Sequence, residues 1–146
     1  MSVTAAVFKR LEDVVLPAGV DMDHLLIDES TGQVYLDDAS QVRLPLSDAL
    51  EVDKPLGNIA RIRCLRDEIS QALGQNAGRS LLLNAILYDG THCGDLIQIE
   101  DRDRLKEEVE WLRNISSTGP EVAIFLSDLE ELILASQRCG NPIVFL

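Results

Sequence analysis

The sequence predicts an α+β fold: a single domain with one mainly antiparallel sheet covered by about three helices. Three observations carry this. Short β-branched and apolar runs come first and last, at 2–8 and 143–146, with a hairpin pattern near the start. Two long segments, 58–74 and 99–115, repeat apolar residues every three or four positions, as one face of a helix does. The order is strands, helix, strand, helix, helix, strand, without the strict alternation of a doubly wound sheet.

Ser2–Phe8 reads as a strand, and Pro17 with Gly19 interrupts regular structure beyond it. Residues 24–38 read as a hairpin, with Leu25–Ile27 and Val34–Leu36 flanking a turn of Ser30, Thr31 and Gly32. Residues 42–46 suggest a further short strand that Pro45 confines to an edge or an end. Asp48 and Glu51 suit a short helical turn, and Lys54, Pro55 and Gly57 mark a connection. In the helix at 58–74, Ile59, Ile62, Leu65, Ile69 and Leu73 form the stripe, with Asn58 as N-cap and Gly74 as stop. Arg61, Arg63 and Arg66 fall off its centre and read as a solvated face.

The apolar run at 80–87 is expected to be a central strand buried on both faces. The helix at 99–115 turns Leu105, Val109 and Leu112 to the core, with Ile115 at its end, and Asp101 and Asp103 suit its positive N-terminus. Ser116 to Pro120 read as a loop. Residues 122–126 are open between a short strand and the lead into the last helix. Ser127 and Glu130 form a capping-box pattern for a helix over about 128–138, carrying Leu129, Leu132, Ile133 and Ser136 on one side and ending at Gly140. An apolar strand at 143–146 must be paired and covered.

With 146 residues, 46% of them apolar and only 4% aromatic, the core is expected to be aliphatic. No apolar run reaches the ~20 residues of a membrane span. The early charges Lys9, Arg10, Glu12 and Asp13 break the order of a signal peptide, so a cytoplasmic protein is expected. Cys64, Cys93 and Cys139 are odd in number and widely spaced, and read as reduced thiols with one or more buried.

The net charge is −12. Residues 21–53 hold nine acids and one base, Arg43, whereas 89–131 hold twelve acids and four bases. Direct nucleic-acid binding and an anionic membrane surface are disfavoured, and a basic protein partner is favoured. The acids chosen as partner-binding residues are Asp21, Asp23, Asp28, Glu29, Asp37 and Asp38, with Glu107, Glu108 and Glu110 as a second face. Trp111, the single tryptophan, is assigned to the edge of the core in preference to a partner anchor.

Catalytic vocabulary is sparse. The loop 88–96 gathers Asp89, His92, Cys93 and Asp95, but adjacent His and Cys point to opposite faces of extended chain. The spacing of paired zinc ligands is missing, as is the acid pattern of a calcium loop. The expectation is therefore no enzyme, no metal and no cofactor.

Residues 79–146 resemble small α+β immunity proteins of bacterial polymorphic toxin systems. The matching residues are the run Leu81–Leu87, Asp89-Gly90, the acidic helix Glu100–Leu112, the helix Leu129–Ser136 and Pro142-Ile143. The helix at 58–74 fits the same order. Thr91 to Gly94 and the acidic region 21–53 depart from the pattern. The resemblance implies a protein that binds a cognate toxin, a basic one given the charge, and neutralises it without catalysis. The alternatives are an acidic adaptor or regulatory subunit, dimeric through a strand edge, and a small enzyme using the 88–96 loop.

Overall fold

The computed structural model describes residues 2–115 and 118–146. Ser116 and Ser117 of the expected loop lie outside the described residues. The chain is α+β. Its main sheet joins β1 (Ser2–Phe8), β4 (Leu50–Asn58), β5 (Leu96–Ile97) and β6 (Ile143–Phe145) in the order β4-β1-β6-β5, every pair antiparallel. The expected hairpin forms a separate sheet from β2 (Leu25–Ile27) and β3 (Val34–Leu36). Three long helices, α2 (Ile59–Leu73), α3 (Ile99–Arg113) and α4 (Pro120–Cys139), accompany a short α1 (Leu46–Ala49).

The strands buried on both faces are β1 and β6. Ala5, Val7, Ile143 and Phe145 pack with Ile62, Leu65, Leu105, Val109, Phe125 and Leu129 of the helices. Ala6, Phe8 and Val144 point the other way and meet Ala49, with Leu44, Leu50 and Leu96 around them. Small side chains at Ala5 and Ala6 let the layers approach closely, which is consistent with a core holding few aromatics.

The run at 80–87 is not a strand. Residues Leu82–Ile86 wind into a helical turn closed by a wide bond from Leu87 N–H to Leu82 C=O at 2.8 Å. A buried strand and a buried helix cannot be told apart by apolarity alone. Here four of the eight residues are leucine and Ile86 is the only β-branched one, so local preference favours helix. Distant charged side chains close both ends. Ser80 Oγ accepts Leu83 N–H at 3.0 Å, and Glu108 of α3 accepts Ser80 O–H and, at 3.0 Å, Leu81 N–H. At the other end Arg66 of α2 donates to Leu83 C=O at 2.6 Å and Leu87 C=O at 2.9 Å. Arg66 is thus a cap for orphan carbonyls and not part of a solvated face. Arg61 likewise donates to Leu56 C=O at 2.6 Å.

Replacing Glu108 by Ala strands these donors. It is expected to cost about 1–3 kcal/mol, read as a lowered urea midpoint with an unchanged slope. An unshifted midpoint would show that the cap is dispensable.

Other expectations change as well. Residues 122–126 belong to α4, which starts at Pro120, a residue suited to the first helical position. Ser127 therefore lies inside the helix, caps nothing, and accepts a hydrogen bond from Arg113 at 2.7 Å. The N-terminus of α4 is served by Glu68 of α2, which accepts Gly119 N–H. Residues 42–45 form no strand, and α1 follows Pro45. Lys54, Pro55 and Gly57 lie in β4 and not in a connection. Pro55 is tolerated because β4 is an edge strand with a register shift opposite Val3 and Thr4. Ile59 heads the α2 stripe but is half exposed, with 51% of its surface open.

Asn141 pins the hairpin to the main sheet. Its amide donates to Phe8 C=O at 2.9 Å, and it sits against Gly32, where a Cβ would overlap its side chain. Gly32 also has φ +77°, a backbone region that side chains disfavour.

Candidate functional site

The sequence singles out two places: the 88–96 loop and the acidic surface. The loop is tied to the sheet by Gly94 N–H to Phe145 C=O and Phe145 N–H to Asp95 C=O, both 3.0 Å. Most of its polar side chains are engaged. Tyr88 stacks on His92 with ring centroids 4.1 Å apart. The Tyr88 O–H donates to the Asp95 carboxylate, with Thr91 C=O 2.8 Å away as a second acceptor. Asp89 pairs with Arg63 at 2.9 Å.

His92 is buried and its Nε2–H donates to Ile86 C=O at 2.7 Å, while Nδ1 is buried without a partner among the described residues. Cys93, its neighbour, is exposed. The two side chains thus diverge, as their adjacency predicts, and the imidazole is not directed at the thiol. A cleft of about 520 Å³ opens beside the loop. Its walls include Val3, Ile59, Ile62 and Leu146, so its lining is largely apolar and most polar groups around it are already engaged. Burial pushes the third thiol, Cys139, above its usual range.

The hydrogen bond to Asp95, burial and the negative charge of Asp95 push the Tyr88 phenol up from 10.0 to about 12. The unfolded chain loses this proton before the folded one. Stability from the phenol is therefore fully present below pH 10.0 and is lost as pH rises through about 12. Tyr88→Phe should remove this alkaline component of unfolding, followed by denaturant melts across that window. An identical pH profile for both chains would refute the assignment.

The acids divide into two groups. Asp28 accepts Ser30 N–H at 2.9 Å and Ser30 O–H at 2.6 Å, which holds its carboxyl below the usual range. Asp37 accepts Ser40 N–H at 3.1 Å and pairs with His24 Nδ1 at 3.0 Å. Glu108 is committed to the cap described above. Asp21, Asp23, Glu29 and Asp38 are exposed and form no ion pair among the described residues. Glu107 and Glu110 are exposed on α3. By contrast the acids of α4 meet bases: Asp128 and Glu131 face Lys54, Glu130 faces Arg113, and Glu121 lies 3.6 Å from Arg61.

The N-terminal acids are interleaved with open apolar side chains, a feature that charge counting missed. Val15 is 78% exposed and Met22 59%, and Leu26, Ile27, Tyr35, Val42 and Leu46 are exposed too. The alternation of acids with apolar residues over 21–42 was the available signal. Trp111 is 46% exposed and not core-packed, beside Arg104 and Leu73. Its helix position, next to Leu112 but off the stripe, accounts for this.

Among the described residues no helix is long and apolar enough to cross a membrane, and no three His, Cys, Asp or Glu side chains gather as metal ligands. No protein-family model, curated protein or solved structure gives a match to this chain.

Proposed function

We propose that the chain is a non-catalytic binding module whose partner is a basic protein, and that this partner is a toxin domain that the chain neutralises. The observation that carries the reading is the segment 15–46, where Asp21, Asp23, Glu29 and Asp38 are open and without an ion pair among the described residues and seven apolar side chains are exposed. Unpaired carboxylates there alternate with exposed apolar side chains, whereas the acids of α4 are paired. A single exposed apolar side chain is ordinary, but here seven share one segment with the open acids, and Val42 lines one groove with Tyr35 and another with Val15, which suits an interaction surface. Unpaired acids supply long-range steering, and the apolar side chains supply the short-range contact.

The toxin assignment rests on the resemblance of the C-terminal half. That resemblance now stands on the Asp89-Gly90 loop, α3, α4 and Pro142-Ile143, because the strand it implies at Leu81–Leu87 is a helical turn. An acidic protein that covers a basic cleft blocks access of nucleic acid to it by occupying the same charge. The reading is tested by co-purification with the products of neighbouring genes and by growth rescue when a toxic product is co-expressed. Failure to bind or rescue against every toxic neighbour would overturn it.

A further inference from the structure

We infer that the cleft beside the 88–96 loop is a binding site for a small neutral molecule with an apolar body and one hydroxyl group. None of residues 15–46 lines it, so this inference does not rest on the basic-partner reading. The cleft holds about 520 Å³, within the range of roughly 300–1,000 Å³ usual for small-molecule sites. Val3 of β1 and Ile62 of α2 line one side. Ile59 and Leu146, 51% and 39% exposed, leave apolar surface of the same cleft open to solvent.

The wall formed by residues 88–93 sets the chemistry of the ligand. Tyr88 O–H is spent on Asp95, and Asp89 is paired with Arg63. His92 is the buried polar residue of this wall. Its Nε2 lies 2.7 Å from Ile86 C=O, which can only accept, so the ring carries its proton on Nε2. Nδ1 is then a lone-pair acceptor, closed to solvent and without a partner among the described residues. A buried acceptor in that state is unfavourable, and a group that donates to it recovers the loss. Residues 88–93 form neither helix nor ladder, so this wall gives way to admit the donor while β1, α2 and β6 keep their places.

The occupant must therefore bring a donor. A carboxylate or phosphate brings lone pairs against Nδ1, and the net charge of −12 repels it. The apolar walls give an ammonium nothing to replace its water. A hydroxyl on an apolar body meets both demands. The body covers Ile59 and Leu146, which supplies the driving force, and the hydroxyl fixes the orientation.

The test uses the full chain at neutral pH with 1-naphthol, 1-methoxynaphthalene and 1-naphthoate, which share one body and differ in donor and charge. Titrations are followed by the methyl signals of Val3, Ile59, Ile62 and Leu146 and by the ring-nitrogen signals of His92. 1-Naphthol should move these methyls and shift Nδ1 toward the position of a hydrogen-bonded acceptor. The ether and the carboxylate should bind about tenfold more weakly, the loss of one hydrogen bond, and leave Nδ1 unmoved. Ile59 is half exposed and heads α2, where an acid suits the helix start, so Ile59→Asp should fold and bind 1-naphthol at least about tenfold more weakly. Equal binding of 1-naphthol and the ether with Nδ1 unmoved would overturn the inference of a hydroxyl ligand. Tighter binding of 1-naphthoate would overturn the neutral class. Methyl signals that stay still with all three probes, or 1-naphthol binding that Ile59→Asp leaves unchanged, would overturn the cleft as a site.

Discussion

Reversing Asp21, Asp23 and Asp38 to lysine is expected to slow association with a basic toxin domain by about tenfold to a hundredfold at low salt. The three side chains are exposed and form no ion pair among the described residues, so nothing internal is lost with them. Three reversals of two charge units each take the net charge from −12 to −6. The effect should shrink as salt rises, because exposed charges are screened over ~8–10 Å near physiological ionic strength. Asp28 and Asp37 serve as contrasts. Their carboxylates hold the hairpin turn and the turn after β3, so reversing them should disturb local structure as well as binding. Stopped-flow association across a salt series, with helix content as the fold control, separates these outcomes. His92→Ala and Cys93→Ala should leave binding nearly unchanged in a folded chain. If they abolish activity while the triple reversal does nothing, the binding-module reading fails and the 88–96 loop should be taken up as a centre for chemistry.

Deleting residues 143–146 should leave no cooperatively folded protein. β6 lies between β1 and β5, paired through Ala5 with Phe145, Ala6 with Val144 and Ile97 with Ile143. Its side chains serve both faces: Ile143 and Phe145 enter the main core, and Val144 meets Ala6 and Phe8 on the other side. Losing three buried apolar side chains removes about 5–9 kcal/mol, an upper estimate. That matches the whole stability of an ordinary domain, roughly 5–15 kcal/mol. Phe145→Ala is the milder form, expected to cost about 3–5 kcal/mol. A thermal melt of the truncated chain that coincides with that of the full chain would show that the strand is not part of the core.

Local pattern was enough for most elements. The stripes of Ile62, Leu65 and Ile69 and of Leu105, Val109 and Leu112 are buried as their spacing requires, because helix period and core contact are the same fact seen twice. Asn58 caps α2 by accepting Arg61 N–H at 3.0 Å, and Gly140, at φ +70°, ends α4. The hairpin formed where its turn residues put it. The concentration of acid at 21–53 was also readable, since charge needs no fold to be counted.

The features that sequence left undetermined depend on residues far apart in the chain. The run at 80–87 became helical where Glu108 and Arg66, on two other helices, satisfy its ends. Glu68 serves the start of α4 from 51 positions away. Such caps have no local signature, so Arg66 and Glu108 looked like free surface charge. Which acids remain open was decided in the same way, by whether folding brought a donor or a base to each. Residues 42–45 stayed unpaired where the sequence suggested a strand, after a left-handed turn at Gln41, at φ 55°. Periodicity and capping chemistry fix the elements because they act within a few residues. Pairing of charges, edges and chain ends is fixed by tertiary structure, because only there do those groups meet.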